Sequence, residues 1–90
     1  MRRKRGKWMN KASDPVLECL EEHDTALPTS VLDIELDVSR SSIARALPEL
    51  ENYGLVESHP NYSTHYRLTD LGREYLDGDL DADDLEPDDA

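Results

Sequence analysis

Ninety residues leave room for one domain. A chain of this size buries only roughly 60% of its unfolded surface, so its stability is marginal and pairing with a second copy is expected. Twenty-one acids against ten Lys or Arg give a net charge of −11, which on its face disfavours nucleic acid; the lone Cys19 excludes an internal disulfide and fits a reducing interior.

The charge is polarised. Residues 1–11 hold six of the ten basic residues and no acid, residues 79–90 hold seven acids and no base, and residues 12–78 carry four Arg against fourteen acids, a net of −10. Such a composition suits a protein made for molar salt. At about 1 M salt the Debye length falls to about 3 Å, so distant acids no longer repel a phosphate backbone. Net charge therefore does not decide the function. The basic start lacks the apolar run of a signal peptide and no segment reaches membrane-spanning length, so a cytoplasmic protein away from membranes is expected.

In chain order, residues 1–11 read as a flexible basic arm: Arg2, Arg3, Lys4, Arg5, Lys7 and Lys11 surround Trp8. Arms of this kind track phosphates or enter minor grooves, and Trp8 is expected to pack on the core. Asp14 fits a helix N-cap with Pro15 at the first helical position. Val16, Leu17 and Leu20 then mark a helix ending near Glu22 or His23. Thr29 reads as a second cap. The helix after it carries Val31, Leu32 and Leu36 on one side, with Ile34 off that side.

Asp37 and Val38 make a turn, and Ser39 caps a third helix with Ile43, Leu47 and Leu50 along a buried stripe and Gly54 as its left-handed stop. Pro48 removes a backbone bond to Ala44 and predicts a kink or an early end to this helix. Leu55–His59 and Thr64–Leu68 read as the strands of a hairpin. Leu55, Tyr66 and Leu68 are available to its core face, and 60–63 form the loop. Thr69 caps a last helix with Leu71, Tyr75 and Leu76, ending by Gly78. The segment 79–90 is too acidic and too poor in apolar residues to pack.

This order predicts a mainly α domain over 12–78 with a small β-hairpin, a winged helix-turn-helix of order α-α-α-β-β-α, between a disordered arm (1–11) and a disordered acidic tail (79–90). Helix 39–53 would enter a major groove, with Ser39, Arg40, Ser41, Ser42 and Arg45 facing the DNA and the two arginines projecting together. Asn61, Tyr62, Ser63 and Thr64 would form the tip of a wing spanning 60–64. Arg2, Arg3, Lys4, Arg5 and Lys7 would reach phosphates. Leu32, Leu36, Val38, Ile43 and Ala46 occupy the places where the two helices of the motif touch. Asp33 stands where a small residue is usual, and Asp37 where glycine is usual.

The segments Arg-Arg-Lys-Arg-Gly-Lys-Trp-Met, Asp-Val-Ser-Arg-Ser-Ser-Ile, Tyr-Gly-Leu-Val and Tyr-Arg-Leu-Thr-Asp-Leu-Gly-Arg-Glu-Tyr-Leu resemble the small winged-helix regulators of halophilic archaea. These are similar to the phage phi-H repressor and, more distantly, to the MarR and ArsR superfamily. The resemblance spans about residues 2–78. It implies a repressor of transcription that binds double-stranded DNA as a homodimer, with no catalytic activity. Pro48 and Asp33 depart from the common pattern. Neither an operator nor a small effector can be read from the chain.

Nothing in the sequence has the arrangement of a nucleophile elbow, a phosphate loop or a paired-carboxylate site, so neither enzyme activity nor a cofactor is expected. Two rival readings stand beside DNA binding. A winged-helix protein-interaction module would suit the −10 central charge and the weakly charged wing. A metal-responsive sensor would use Cys19 and His23, spaced i, i+4, with His59 or His65. A structural zinc site asks for four ligands and the chain has one Cys, so Cys19 is expected as a small buried residue.

Overall fold

A computed structural model describes residues 6–86 of the chain, apart from the side chain of Ser63. The elements are α1 (Ser13–His23), β1 (Leu27–Pro28), α2 (Thr29–Glu35), α3 (Arg40–Asn52), β2 (Val56–His59), β3 (Tyr62–Leu68), α4 (Asp70–Leu76) and a 3₁₀ turn (Ala82–Asp84). This is the winged-helix arrangement anticipated above, with two additions, β1 and the 3₁₀ turn. The hairpin is the larger part of a three-stranded antiparallel sheet of order β1-β3-β2, because Leu27 pairs with Tyr66 and Pro28 with His65. A two-residue strand has no alternation to display in sequence, and Pro28 fits an edge position where its missing N–H is not needed.

Helix α1 begins before the expected cap. Asp14 lies inside the first turn, and the start is organised by Asn10 and Ser13 instead. The Asn10 side chain accepts from the Ala12 N–H at 2.9 Å, and the Asn10 N–H donates to Ser13 Oγ at 3.0 Å. Pro15 is therefore the third helical residue, still within the turn whose N–H groups have no helical partner. The Asp14 carboxylate is used elsewhere: the hydroxyl of the buried Tyr75 on α4 donates to it at 2.6 Å. Helix α1 ends at His23, as its apolar spacing predicts, and Asp24 closes it at φ 52°.

Helix α2 starts at Thr29 with Pro28 as its cap, one residue from the expected position. Leu32 is buried and Ile34, off the apolar side, is 84% exposed. In α3, Ile43, Ala46, Leu47 and Leu50 are buried, and Ser39 Oγ accepts from the Ser42 N–H at 3.2 Å as the expected cap. The helix runs unbroken through Pro48 to Asn52, so the early end does not occur. Pro48 is exposed, which leaves Ala44's carbonyl on the solvent side where water can satisfy it. Gly54 stops the helix at φ 82°. The Leu55 N–H returns to the Leu50 carbonyl at 2.9 Å and the Gly54 N–H to that of Glu51 at 3.0 Å, the paired bonds of a Schellman ending.

Strands β2 and β3 pair Val56 with Leu68, Glu57 with Arg67 and Ser58 with Tyr66, and the register shifts between Ser58 and His59. Leu55 and Val56 are both buried, Leu55 from just ahead of the strand. Tyr62 and Ser63 belong to β3, so the turn is shorter than the expected loop. Thr69 caps α4 as predicted: its hydroxyl accepts from the Gly72 N–H at 3.0 Å and donates to the Gly54 carbonyl at 2.6 Å.

The expectation that both ends stay unpacked is corrected for their described parts. Gly6, Met9 and Ala82 are buried, and Leu80 and Leu85 pack against the core. The Trp8 indole donates to the Ala82 carbonyl at 3.1 Å, and the Lys7 N–H donates to Asp83 Oδ1 at 2.7 Å. Composition misleads here because three apolar residues suffice to dock a segment that is otherwise acidic.

Candidate nucleic-acid interface

Helices α2 and α3 pack through Leu32, Ile43 and Ala46, all buried, with Leu36 and Val38 partly buried between them. This packing fixes α3 with its other side in water. At about 100° per residue, the exposed Ser41, Arg45 and Pro48 form the outermost stripe, opposite Ile43, Leu47 and Leu50, with the half-buried Asn52 in line with it. Asn52 is a position the sequence reading did not single out, although the same helical spacing identifies it.

Arg40 and Arg45 are both exposed but do not project side by side. They lie five positions apart, or about 140° around the helix. Arg40 leans toward α2, where its Nε lies 3.2 Å from Asp33 Oδ2. The carboxylate at the helix crossing is thereby given a cation, which explains why Asp is tolerated where a small residue is usual. Arg45 lies on the other flank, beside Trp8, Asn10 and Glu49.

The serines at the helix start are partly engaged with one another. Ser39 Oγ donates to Ser42 Oγ at 2.9 Å and lies 3.3 Å from Ser41 Oγ. The Ser42 carbonyl accepts from the Asn10 side chain at 3.0 Å, which ties the foot of the arm to α3. The three hydroxyls are exposed or half-buried and remain within reach of a ligand, as a hydroxyl has one donor and two acceptor sites.

In the wing, Tyr62 is 59% exposed and its ring lies 5.2 Å from that of His59 and 5.3 Å from that of His65. His59 Nδ1 accepts from the Asn61 N–H at 3.1 Å, and Thr64 Oγ1 lies 3.4 Å from His65 Nδ1. Arg67 is matched by Glu57 across the hairpin at 2.7 Å. The wing therefore offers an aromatic and imidazole cluster in place of net charge. Sequence reasoning named its members without seeing that the register shift groups them.

In the arm, Lys7 is exposed and Trp8 lies flat against Tyr53 at the end of α3, with ring centroids 3.8 Å apart. Trp8 is thus packed on the domain, as expected. Arg2, Arg3, Lys4 and Arg5 lie outside the described residues.

Two further features bear on the rival readings. A cleft of about 620 Å³ is lined by Leu20, Asp24, Glu57, Arg67, Asp70 and Arg73, among others, but both of its arginines are matched by acids. Arg73 donates to Asp24 at 2.8 Å, and that bond raises its pKa. Cys19 is buried, and burial followed by the charges of Glu35 and Glu22 pushes its thiol up from the ordinary value, away from the thiolate that metals bind. Among the described residues no group of three His, Cys, Asp or Glu side chains is placed to hold a metal ion. No described helix is long and apolar enough to cross a membrane.

Comparison with known proteins agrees with this geometry. The family model described as a winged helix-turn-helix phage repressor matches residues 1–88. Among solved structures, the chain is similar to the PhiH1 repressor-like protein from Haloarcula marismortui. The TM-score is 0.80 and the identity 29%, over 97% of this chain and 98% of that one. No curated protein matches the chain.

Proposed function

This chain belongs to the winged helix-turn-helix phage repressor family, a family of DNA-binding regulators rather than of enzymes, and on that premise we propose that it represses transcription by reading duplex DNA with α3. The observation that carries this reading is the exposed side of α3, from Ser39 to Asn52, held outward by an apolar face that is fully committed to the core. In the proposed complex Ser41 and Arg40 enter the major groove with Arg45 at the flanking phosphates, the wing tip at Asn61–Thr64 approaches the neighbouring backbone, and residues 2–7 track phosphates. A homodimer joined through α1 and α4 would then bind a two-fold operator. The acidic surface and the likeness to a Haloarcula protein support action in the cytoplasm at high salt, where short-range contacts outlast long-range attraction.

The test is binding to duplex taken from upstream of its own gene, titrated with salt. Log affinity is expected to fall against log salt by roughly 0.9 per neutralised phosphate. Arg45→Ala is expected to weaken binding and lower that slope by roughly 0.9. An affinity that ignores both salt and Arg45 would overturn the reading.

A second reading is favoured by one observation. Of the four arginines in 12–78, Arg40, Arg67 and Arg73 are each ion-paired to an acid, and among the described residues Arg45 is the one of the four without an ion pair. That pattern suits a winged-helix module that contacts another protein. Unchanged duplex affinity in an Arg40→Ala, Arg45→Ala double variant at matched salt would favour it.

A further inference from the structure

Resting on the DNA-binding reading above, we propose that Asp33 is a positioning residue for base recognition, holding Arg40 so that the outer edge of its guanidinium meets a guanine in the major groove. Asp33 lies in the second turn of α2 and Arg40 opens α3, so the pair spans the turn of the helix-turn-helix. The contact runs from Asp33 Oδ2 to Arg40 Nε at 3.2 Å. The two ends differ in setting: the Asp33 side chain is 20% exposed and that of Arg40 is 85% exposed. The carboxylate is thus anchored at the helix crossing while the guanidinium stands in water.

A guanidinium engaged at Nε keeps the edge formed by its two terminal nitrogens. That edge is the fork that matches guanine O6 and N7. Tethering also removes part of the rotational freedom that a long side chain must otherwise surrender on docking, so more of the contact energy becomes discrimination.

The charge of Asp33 points the same way. A carboxylate at this position repels the phosphates that flank the groove, so it weakens sequence-independent binding. It also contributes little to folding, because ion pairs with one partner so exposed are typically weak. Orientation is the remaining benefit, and it acts on selectivity. Arg45, about 140° around the helix, has no such anchor and is suited to phosphate.

The experiment enriches duplexes from a random pool on the wild-type protein. Affinities for the enriched duplex, for the same duplex with each guanine replaced, and for an unrelated duplex are then compared at one salt concentration. The wild type is expected to lose about fivefold or more when one particular guanine is replaced, and Arg40→Ala to abolish that preference. Asp33→Asn, nearly the same shape, is expected to cut the preference by about threefold or more while binding the unrelated duplex more tightly. Asp33→Glu keeps the charge but moves the carboxylate, and is expected to fall between the two with unrelated-duplex affinity unchanged. Thermal melting reports that each variant is folded.

If either foldable Asp33 variant keeps the full preference, or if no guanine in the enriched site depends on Arg40, the positioning role is overturned while DNA reading stands. If the wild type enriches no sequence and Arg40→Ala leaves duplex affinity unchanged, both fall.

Discussion

Trp8 lies flat on Tyr53, the two rings 3.8 Å apart at their centroids and 4° from parallel. Tyr53 closes α3 and Trp8 stands at the foot of the arm, so the stack ties the start of the chain to the end of the helix proposed to read DNA. The Trp8 indole also donates to the Ala82 carbonyl, joining the two ends of the chain at one residue. Trp8→Ala removes the stack, the hydrogen bond and a half-buried apolar surface together. The expected loss is about 2 kcal/mol, less than for a fully buried Trp but more than a stacked pair alone supplies. Trp8→Phe keeps a stacking ring and should recover part of it. Chemical denaturation of the three proteins checks the order, and wild-type stability in Trp8→Ala would show that the stack carries no weight.

Among the four glycines, Gly72 has the closest neighbours. A Cβ placed there would lie 2.3 Å from the Leu55 carbonyl oxygen and 2.6 Å from Leu68 Cδ1. The first neighbour is backbone and cannot swing aside, so α4 must move off the sheet to admit even one methyl group. Gly72→Ala is expected to cost about 2 kcal/mol or more and to lower Tm by roughly 10 °C. The same change at Gly78 meets no neighbouring atom and strains only the backbone at φ 83°, so it should cost less. Thermal melts of the two variants compare overpacking with strain directly; equal losses would contradict the close approach at Gly72.

The raised pKa of Cys19 has a measurable consequence. Burial, and then Glu35 and Glu22, disfavour the thiolate in the folded protein, and the thiolate is the species that reacts. Below the folded pKa the native chain holds a smaller thiolate fraction than the unfolded one, so alkylation by iodoacetamide at mildly alkaline pH should be about tenfold slower or more in native buffer than in urea. The sign for stability follows. The folded state keeps its proton longer, so this contribution is full below the unfolded thiol's pKa and is lost as pH rises through the folded value. Equal alkylation rates with and without urea would remove the argument and reopen Cys19 as a ligand.

The parts of the fold that the sequence made legible are those with a repeating signal or a stereochemical requirement. Ile43, Leu47 and Leu50 define a helical face by spacing, Gly54 is required by a left-handed stop, and Ser39 and Thr69 are short hydroxyl side chains placed where a helix has orphan N–H groups. What escaped had no period to show. Strand β1 is two residues long. The Asn10 and Ser13 arrangement competes with an equally good cap at Asp14, and the choice is settled by Tyr75, sixty-one positions along the chain. The docking of Ala82 depends on Trp8 from the opposite end. At the candidate site the residue types were readable, but their grouping was not. Asp33 meets Arg40 only because two helices cross, and His59, Tyr62 and His65 gather only because the hairpin register shifts.

Pro48 gives the sharpest contrast between sequence and structure. Within a helix, proline removes one backbone bond and crowds the preceding turn, at a cost of about 3 kcal/mol relative to alanine in an exposed interior. Helix α3 nonetheless continues for another turn, because Leu47 and Leu50 on either side of it are buried and the Schellman bonds at Leu50 and Glu51 secure its end. Tertiary packing here outweighs local preference. Pro48→Ala should therefore stabilise the domain, by about 1–2 kcal/mol once the greater freedom of the unfolded alanine chain is set against the restored bond. Pro48 also lies on the outermost stripe with Ser41 and Arg45, so a backbone that adjusts to restore the bond to Ala44 would change how those side chains present themselves. If α3 is the reading element, Pro48→Ala should raise Tm while altering selectivity among duplexes more than affinity for an unrelated one. A variant that melts lower than the wild type would mean that the proline fits the geometry of α3 better than any helix former, and that the surrounding packing is adapted to it.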